Sequence, residues 1–242
     1  MSDPSATASW LADAARTWDE RADWWDTMSA ENAASTDRRR ELDRWQAALA
    51  LRPGCRLLDA GCGSGHFSIA WARRGCEVTG IDLSREMLAH AAQNVSDSGV
   101  AVQLINSALA PLPLQTAAFD AVFCRTVIHL VPEPLAVLNE FRRVLRPSGR
   151  LYASVPGARS PIYANVWRRH LSPGPRPIND MVPWELEALL DSTGWRILDQ
   201  WGDWSGQNGT AQEVPGSIAR QSGNVLLMQT TATTWGFVAT TA

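Results

Sequence analysis

The chain contains no lysine, because all 22 residues of its combined lysine and arginine count are arginine. This absence excludes a lysine general base and a lysine that forms a Schiff base with substrate. It also excludes the phosphate loop of nucleotide hydrolases, which ends in Gly-Lys-Ser/Thr. Chemistry that depends on a lysine side chain is therefore ruled out.

Cysteine is scarce, and its spacing is uninformative. The four cysteines form no C-x-x-C pair and lie within or beside apolar segments, at Cys55, Cys62, Cys76 and Cys124. We therefore expect reduced, buried thiols of the kind found in the cytosol, with no metal site and no disulfide framework.

Long apolar runs and an excess of basic charge are also missing. The N-terminus has no basic start followed by an apolar stretch, and no run approaches the length of a membrane-spanning helix. Net charge is −3 with a sequence pI of about 5.8, so no overall basic field would attract nucleic acid. The sequence predicts a cytoplasmic protein with no membrane span and no nucleic-acid partner.

The first fifty residues have a helical pattern. In "WLADAARTWDERADWWDTM" one helix with a single apolar stripe is expected from the spacing of Leu11, Ala15, Trp18, Ala22 and Trp25. A second helix is expected over residues 37–50, ending at Pro53-Gly54. We interpret residues 1–50 as a helical N-terminal lid.

From residue 56 onward, strand patterns alternate with helix patterns. The expected strands are Arg56–Asp59, Glu77–Ile81, Val100–Ile105, Phe119–Cys124 and Arg150–Val155. Helices are expected between them over residues 65–74, 84–95 and 134–145. This alternation predicts an α/β fold with a doubly wound, Rossmann-like parallel sheet.

The C-terminal third departs from this alternation. A Pro- and Gly-rich segment at 157–182 predicts a cap insert, followed by a helix over Pro183–Ser192. Strands are expected at Arg196–Gln200 and Val225–Thr234, and as a hairpin they would make the last strand antiparallel. The chain is interpreted as a single domain over 1–242, with its core at 55–156 and the C-terminal helix and hairpin at 183–242.

A glycine loop follows the first strand, in the stretch "LLDAGCGSGHFS". Its spacing is G-x-G-x-G, whereas the dinucleotide fingerprint G-x-G-x-x-G requires a glycine where this chain has His66. Asp82 ends the second strand at about the distance that places an acid against ribose hydroxyls. The pattern favours a ligand with a ribose. The alternative is purely structural, with the glycines in a tight turn and Asp82 as a helix cap.

The segments "LLDAGCGSGHFSIAWARRGCEVTGIDLSREML" and "FDAVFCRTVIHLVPEPLAVLNEFRRVLRPSGRLYASVP" resemble the class I S-adenosylmethionine-dependent methyltransferases. The small-molecule branch that includes quinone-biosynthesis enzymes is the most similar. The resemblance covers about Leu57 to Pro156. It implies a seven-stranded sheet with an antiparallel last strand, and S-adenosyl-L-methionine as cofactor.

The resemblance also assigns roles to residues of the glycine loop and its surroundings. Asp59 would orient the methionine amino group, the carbonyls of Gly61 and Cys124 would accept hydrogen bonds from it, and Gly63 and Gly65 would make room. Asp82 would hold the ribose hydroxyls, and Leu83 would lie on the adenine. The full cofactor-binding set implied is Asp59, Gly61, Cys62, Gly63, Gly65, Asp82, Leu83, Met87, Ser107, Ala108, Leu109 and Cys124.

The adenine end departs from the family pattern. Relatives place an acid after the third strand, in a "GDAxxLP" segment, whereas this chain has "SALAPLP" with Ala108 at the acid position. The change removes one charge-assisted hydrogen bond, about 1.5–3 kcal/mol in a dry site. Ser107, Asn106 or a backbone carbonyl is the expected substitute.

On the acceptor side, His129 is the candidate general base, since it follows the fourth strand; a structural role is the alternative. Candidate acceptor-binding residues are Trp24, Trp25, Arg125, Thr126, Tyr163 and Trp167. Trp18 and Trp25 would otherwise pack the N-terminal helix onto the core.

The sequence thus predicts in-line methyl transfer from S-adenosyl-L-methionine to a small molecule. Two alternatives remain open at this point. One is a non-catalytic methyltransferase-like binding or regulatory protein, which Ala108 favours. The other is a protein or RNA methyltransferase, against which stand the acidic charge balance and the absence of an Asn/Asp-Pro-Pro-Tyr/Phe segment after the fourth strand.

Overall fold

The computed structural model describes residues 4–33, 36–158, 160, 177–203 and 223–241. Most of the predicted cap insert lies outside these residues, including Tyr163 and Trp167. None of the described helices is both long enough and apolar enough to cross a lipid bilayer. No group of metal-ligating side chains occurs among the described residues, and all four cysteines are free.

A seven-stranded sheet with the order β3-β2-β1-β4-β5-β7-β6 forms the centre of the molecule. Every pairing is parallel except the two that β7 makes with β5 and β6, so the predicted sheet with an antiparallel last strand is confirmed. The strands are β1 (Arg56–Ala60), β2 (Glu77–Asp82), β3 (Val102–Asn106), β4 (Phe119–Arg125), β5 (Leu145–Pro156), β6 (Trp195–Asp203) and β7 (Thr234–Thr241).

Eight α-helices and one short 3-10 turn, Ile128–Leu130, complete the part of the chain that is described. Three helices precede the sheet, four connect its strands, and one precedes β7. They are α1 (Pro4–Asp19), α2 (Ala22–Ala33), α3 (Thr36–Ala48), α4 (His66–Arg73), α5 (Arg85–Ser98), α6 (Pro134–Val144), α7 (Pro183–Ser192) and α8 (Val225–Thr231).

Side chains alternate between two cores, one on each face of the sheet. On β4, Val122 and Cys124 join the core that contains α6 and α7, whereas Ala121 and Phe123 join the core that contains α3 and α4. Both faces are covered, as expected for a parallel sheet whose strands are apolar throughout. The doubly wound prediction is therefore confirmed.

The core beside α3 contains a run of aromatic rings. Tyr152 stacks on Phe123 at 5.2 Å and on Trp201 at 5.6 Å between ring centroids, and Trp45 packs edge-on against both Phe123 and Tyr152. Gly236 makes this possible, because a Cβ there would lie 2.4 Å from the Tyr152 hydroxyl oxygen. With Trp201, the rings reach the side of the sheet at which the parallel strands have their carboxyl ends.

Two sequence predictions about secondary structure were wrong. Residues 225–231 form a helix, which the Asn224 side chain caps by accepting a hydrogen bond from the Leu227 amide at 2.9 Å, and the last strand starts at Thr234. The single N-terminal helix expected over 10–28 breaks after Asp19, whose carboxylate instead accepts hydrogen bonds from Ser84 and Glu86 at the start of α5.

The predicted 1–50 lid consists of two different parts. Helices α1 and α2, which we call the lid, pack against α5, and the Trp10 indole donates a hydrogen bond to the Leu130 carbonyl at 3.0 Å. Helix α3 instead buries Trp45 against the sheet. Helices α1 and α2 are therefore placed over the carboxyl ends of β1 and β2, whereas α3 lies on one face of the sheet.

Candidate active site

A cavity of about 770 Å³, measured with its open mouth, lies at the carboxyl ends of β1, β2 and β4 beneath the lid. This is where doubly wound sheets bind ligands. Its walls come from the glycine loop, the ends of the strands and the lid. The lining residues are Leu11, Ala14, Trp18, Trp25, Gly61, Gly63, Asp82, Leu83, Met87, Ser107, Ala108, Leu109, Arg125, Thr126, Val127, Leu130 and Val131.

Gly61 and Gly63 present bare backbone to this cavity. Their φ angles are +78° and +54°, a region that residues with a side chain rarely adopt. A Cβ on Gly61 would lie 2.4 Å from a methyl carbon of Val127, and one on Gly63 would lie 2.9 Å from the indole nitrogen of Trp25. The loop therefore requires glycine at both positions for conformation and for space.

Asp82 both lines the cavity and holds the loop. Its two carboxylate oxygens accept hydrogen bonds from the Gly63 amide at 2.8 Å and from the Ser84 amide at 2.9 Å. Burial raises the pKa of this carboxyl, although hydrogen bonds from the amides of Ser84, Gly63 and Leu83 act to lower it. A carboxylate has about four lone-pair sites, so Asp82 keeps capacity to accept from a ligand. The structural and ligand-binding interpretations of Asp82 are therefore compatible.

Asp59 lies behind the loop and does not line the cavity. Only 3% of it is exposed, and its carboxylate accepts a hydrogen bond from the Ser68 hydroxyl at 2.6 Å. Burial, with a smaller contribution from the charge of Asp82, raises the pKa of Asp59 to about 7. A carboxyl buried this deeply against a ligand loop is a feature of functional sites.

Three other residues of the predicted cofactor set lie outside the cavity. Cys62 and Cys124 are buried, and burial raises the pKa of both thiols. Gly65 precedes α4, and a Cβ there would lie 3.1 Å from Ala91 on α5. Gly65 therefore allows two helices to pack closely, while the other eight residues of the predicted set line the cavity.

The adenine end carries no substitute acid. Ser107, Ala108 and Leu109 line the cavity as predicted, but the Ser107 hydroxyl donates its hydrogen bond to the Ala108 carbonyl. The Asn106 amide donates to the carbonyls of Asp82 and Leu83, so it fixes the turn after β2. Asp82 is the only acidic residue in the described lining. The end predicted to hold the adenine therefore has no acidic side chain of its own.

On the acceptor side the structure brings some predicted residues together and separates others. Trp25, Arg125 and Thr126 line the cavity. Trp24 does not, since it is 55% exposed on the outer side of the lid. Thr126 has φ +55°, which is rare for a β-branched residue, and the Ser154 hydroxyl accepts a hydrogen bond from its amide. Strained backbone of this kind is concentrated at functional sites.

His129 is not placed to act as a general base. It is 2% exposed and absent from the cavity lining. Burial lowers its pKa to about 3, and within the described chain its Nδ1 atom has no hydrogen-bond partner. The 3-10 turn carries the side chain away from the cavity and into the core. The structural alternative given for His129 accounts for its position.

Several lining residues were not predicted as site residues. They come from the lid and from the turn after β4: Leu11, Ala14, Trp18, Val127, Leu130 and Val131. Leu11 and Trp18 belong to the apolar stripe that the sequence indicated as a packing face. The signal was therefore visible, but periodicity does not distinguish a surface that packs on a core from one that covers a cavity.

Carboxylates of the lid attach it to the helices beneath. Asp26 contacts the His66 ring nitrogen at 2.9 Å and accepts a hydrogen bond from the Asn94 amide at 2.8 Å. Asp19 accepts one from the Ser84 hydroxyl at 2.6 Å. Burial tends to raise the pKa of Asp26, but the hydrogen bonds from His66 and Asn94 outweigh it, and the net pKa is lowered. The ionised carboxylate therefore fastens the lid.

Replacing Asp26 with alanine should weaken the binding of S-adenosylhomocysteine about three- to tenfold, because the lid wall of the cavity loses its anchor. Because the pKa of Asp26 is lowered, the anchor is fully present at any pH above the usual pKa of an aspartate. It is lost only as the pH falls through the lowered pKa of Asp26. Calorimetry measures the affinity. Asp97→Ala is the control, since the Asp97 carboxylate accepts from Gln93 on its own helix. Equal affinities for the two variants would contradict the anchoring role.

Comparison with known proteins identifies the family. Residues 58–153 match the family model described as "Methyltransferase domain". The chain is 33% identical over 184 residues to a ubiquinone biosynthesis O-methyltransferase of Xanthomonas campestris, covering 73% of this chain and 77% of that protein. It is 33% identical over 187 residues to the enzyme of the same name from Xylella fastidiosa, covering 73% and 74%.

Two solved structures share the fold. A SAM dependent methyltransferase from Aquifex aeolicus superposes with a TM-score of 0.59 at 20% identity, over 83% of this chain and 89% of that one. The [4+2]-cyclase SpnF superposes with a TM-score of 0.62 at 24% identity, over 84% and 80%. From its sequence relatives and its seven-stranded sheet, the chain belongs to the class I S-adenosylmethionine-dependent methyltransferases, enzymes whose cofactor is S-adenosyl-L-methionine.

Proposed function

We propose that this enzyme transfers the methyl group to a hydroxyl oxygen of a small aromatic molecule. The observation that carries the proposal is the single cavity that joins the bare backbone of Gly61 and Gly63 and the carboxylate of Asp82 to the tip of β4. The choice of oxygen rests on the relatives, which are named O-methyltransferases.

The residues present fit the cofactor. Gly61 and Gly63 line the cavity with backbone alone, so the loop places no side chain between its backbone and the methionine part. Asp82 offers carboxylate oxygens to the ribose hydroxyls, and Asp59 stands behind the loop with a carboxyl that can balance the ammonium group. Leu83 and Leu109 supply apolar contact for the adenine. When bound, S-adenosyl-L-methionine supplies a methyl group that its sulfonium has already activated for displacement.

The protein contributes position and the exclusion of water. Trp18 and Trp25 of the lid pack edge to face, with their ring centroids 5.6 Å apart, and both line the cavity on its lid side. The described lining contains no histidine, cysteine, tyrosine or lysine, so Asp82 and Arg125 are its ionisable groups. We infer that the acceptor loses its proton to solvent before it enters the closed site. Orientation of two reactants in a closed site accounts for a large part of such a rate enhancement.

The pH profile of kcat/KM should therefore follow the acceptor and not the protein. The rate is expected to rise with pH up to the pKa of the acceptor hydroxyl, and the inflection should move when a ring substituent changes that pKa. His129→Gln should keep the same profile, because burial already holds His129 neutral, with a pKa of about 3. Rates are normalised to sites that bind S-adenosylhomocysteine, which corrects for misfolded protein. An inflection lost only in His129→Gln would restore the histidine as a base.

The proposed activity is tested with S-adenosyl-L-methionine labelled in its methyl group and a panel of phenols and catechols. We expect a labelled product that carries one methyl group on oxygen, as identified by mass spectrometry and its fragmentation. Transfer to nitrogen or carbon acceptors in preference to phenols would contradict the proposal. Asp82→Ala serves as the inactive control.

A further inference from the structure

A second cavity lies on the other side of the β4 tip, beneath α3 and against the ends of β5, β6 and β7. It encloses about 640 Å³ with its open mouth. Its lining residues are Arg40, Glu41, Arg44, Trp45, Arg125, Tyr152, Trp201, Gly202, Asp203, Thr234 and Gly236. Of these, Arg125 also lines the cofactor cavity, so the two cavities meet at this residue. A molecule in the second cavity would therefore lie next to the cofactor cavity.

The charge of this second cavity is positive. Three arginines line it against two acidic residues, Glu41 and Asp203. Burial raises the pKa of Glu41, although the nearby charge of Arg125 acts to lower it. A fourth guanidinium, that of Arg38, lies close enough to Arg125 for its pKa to fall to about 10 through burial and, in smaller part, through that repulsion. At neutral pH the guanidiniums outnumber the carboxylates.

Two of the three arginines stack on ring faces. The Arg125 guanidinium carbon lies 5.1 Å from the Phe67 ring centroid and 5.8 Å from that of Trp45, and Arg44 lies 4.1 Å from that of Trp201. Stacking occupies the face of a guanidinium and leaves its N–H edge available for an anion. Among the described residues, no hydrogen bond or ion pair to the half-buried Arg125 guanidinium is present. The N–H groups of Arg125 are therefore available to an anion in the cavity.

The remaining wall is aromatic. Trp45 and Tyr152 are each 3% exposed, and Trp201 stacks on Tyr152 at an interplanar angle of 28°. This apolar wall beside planar guanidiniums suits a ligand with an apolar body and an anionic edge. A carboxylate has the bidentate geometry that matches the guanidinium fork.

We propose that the second cavity binds the methyl acceptor and selects a planar aromatic molecule that bears a carboxylate, with Arg125 and Arg44 as the specificity-determining residues. This inference rests on the proposed function, since it places the ring and carboxylate of the acceptor in the second cavity, with the reacting hydroxyl reaching past Arg125 into the cofactor cavity. It names the substrate class that the positive charge and the aromatic wall would recognise.

The test uses matched ligands that differ at one group. Mono- and dihydroxybenzoates, the corresponding benzamides and the corresponding benzenesulfonates are titrated by calorimetry into wild-type enzyme saturated with S-adenosylhomocysteine. We expect at least one benzoate to bind at least tenfold more tightly than its benzamide. The double variant Arg44→Gln, Arg125→Gln should reduce that ratio to less than threefold. The binding of S-adenosylhomocysteine to each variant reports that the protein is folded.

Arg39→Gln is the matched control, because Arg39 is an exposed arginine of α3 that does not line the cavity. It should keep the tenfold preference. Equal affinities for benzoates and benzamides, or no binding of any benzoate at 5 mM (roughly 3 kcal/mol in affinity terms), would overturn the inference. Tighter binding of the sulfonates would overturn the carboxylate assignment in favour of a tetrahedral anion. A benzoate preference without methyl transfer would instead contradict the proposed activity and leave the binding site standing.

Discussion

Replacing Asp82 with alanine is expected to raise the dissociation constant of S-adenosylhomocysteine at least 100-fold. The substitution removes the carboxylate that faces the cavity and, with it, the acceptor for the Gly63 and Ser84 amides. A 100-fold change corresponds to about 2.7 kcal/mol, which is the expected loss when a hydrogen-bonded charged group is removed and its donors stay behind. Calorimetry at neutral pH measures the effect directly.

Asp43→Ala is the matched control for this experiment. Asp43 is an acidic residue of α3 that pairs with Arg74 at 2.7 Å and whose side chain is 65% exposed, far from the cavity lining. Its removal should leave the affinity unchanged. If Asp82→Ala were folded and bound within threefold of the wild type, the ribose assignment would be wrong. The carboxylate would then serve the turn alone.

Asp59→Asn is expected to stabilise the free protein and weaken cofactor binding. The pKa of Asp59 rises from 3.8 to about 7 on folding, so between these values the folded state keeps a proton that the unfolded state has released. The stability that protonated Asp59 contributes is fully present below pH 3.8 and is lost as the pH rises towards 7. The difference of roughly 3 units corresponds to about 4 kcal/mol, which the wild type loses across this interval and the asparagine variant does not.

Urea unfolding at several pH values measures this difference. Above pH 7 the variant should be more stable than the wild type by about 2–4 kcal/mol, because it no longer buries an ionised carboxylate, while Ser68 keeps an oxygen to donate to. The affinity for S-adenosylhomocysteine at pH 8 should fall at least tenfold, since the ammonium group loses its counter-charge. Identical pH slopes for variant and wild type would contradict the raised pKa.

Much of the fold was predictable because its signals are local. A strand that ends in glycines, an acid at the end of the next strand and the alternation of short elements identify a doubly wound sheet and the place of its ligand. Residues 225–231 were mistaken for a strand because a short apolar run has no clear periodicity. In the structure, the Asn224 cap favours a helix over a strand for this run. In the sequence, Asn224 can be recognised as a cap only if the helix is already assumed.

The site was predictable on the cofactor side and less so on the acceptor side. Gly61, Gly63 and Asp82 lie on connections whose geometry the strand ends determine. His129 follows β4 closely in sequence, yet the 3-10 turn directs it into the core. Arg44 and Arg125 are 81 positions apart, and only the packing of α3 on the sheet brings both to one cavity. No local sequence pattern predicts that these two arginines lie close together.

The contact between Trp25 and the glycine loop has a kinetic consequence. The indole nitrogen of Trp25 occupies space directly over Gly63, and the lid that carries it is anchored by Asp19 and Asp26. Exchange of the nucleoside beneath this indole requires the lid to move. The frequency with which the lid opens then sets an upper limit on turnover.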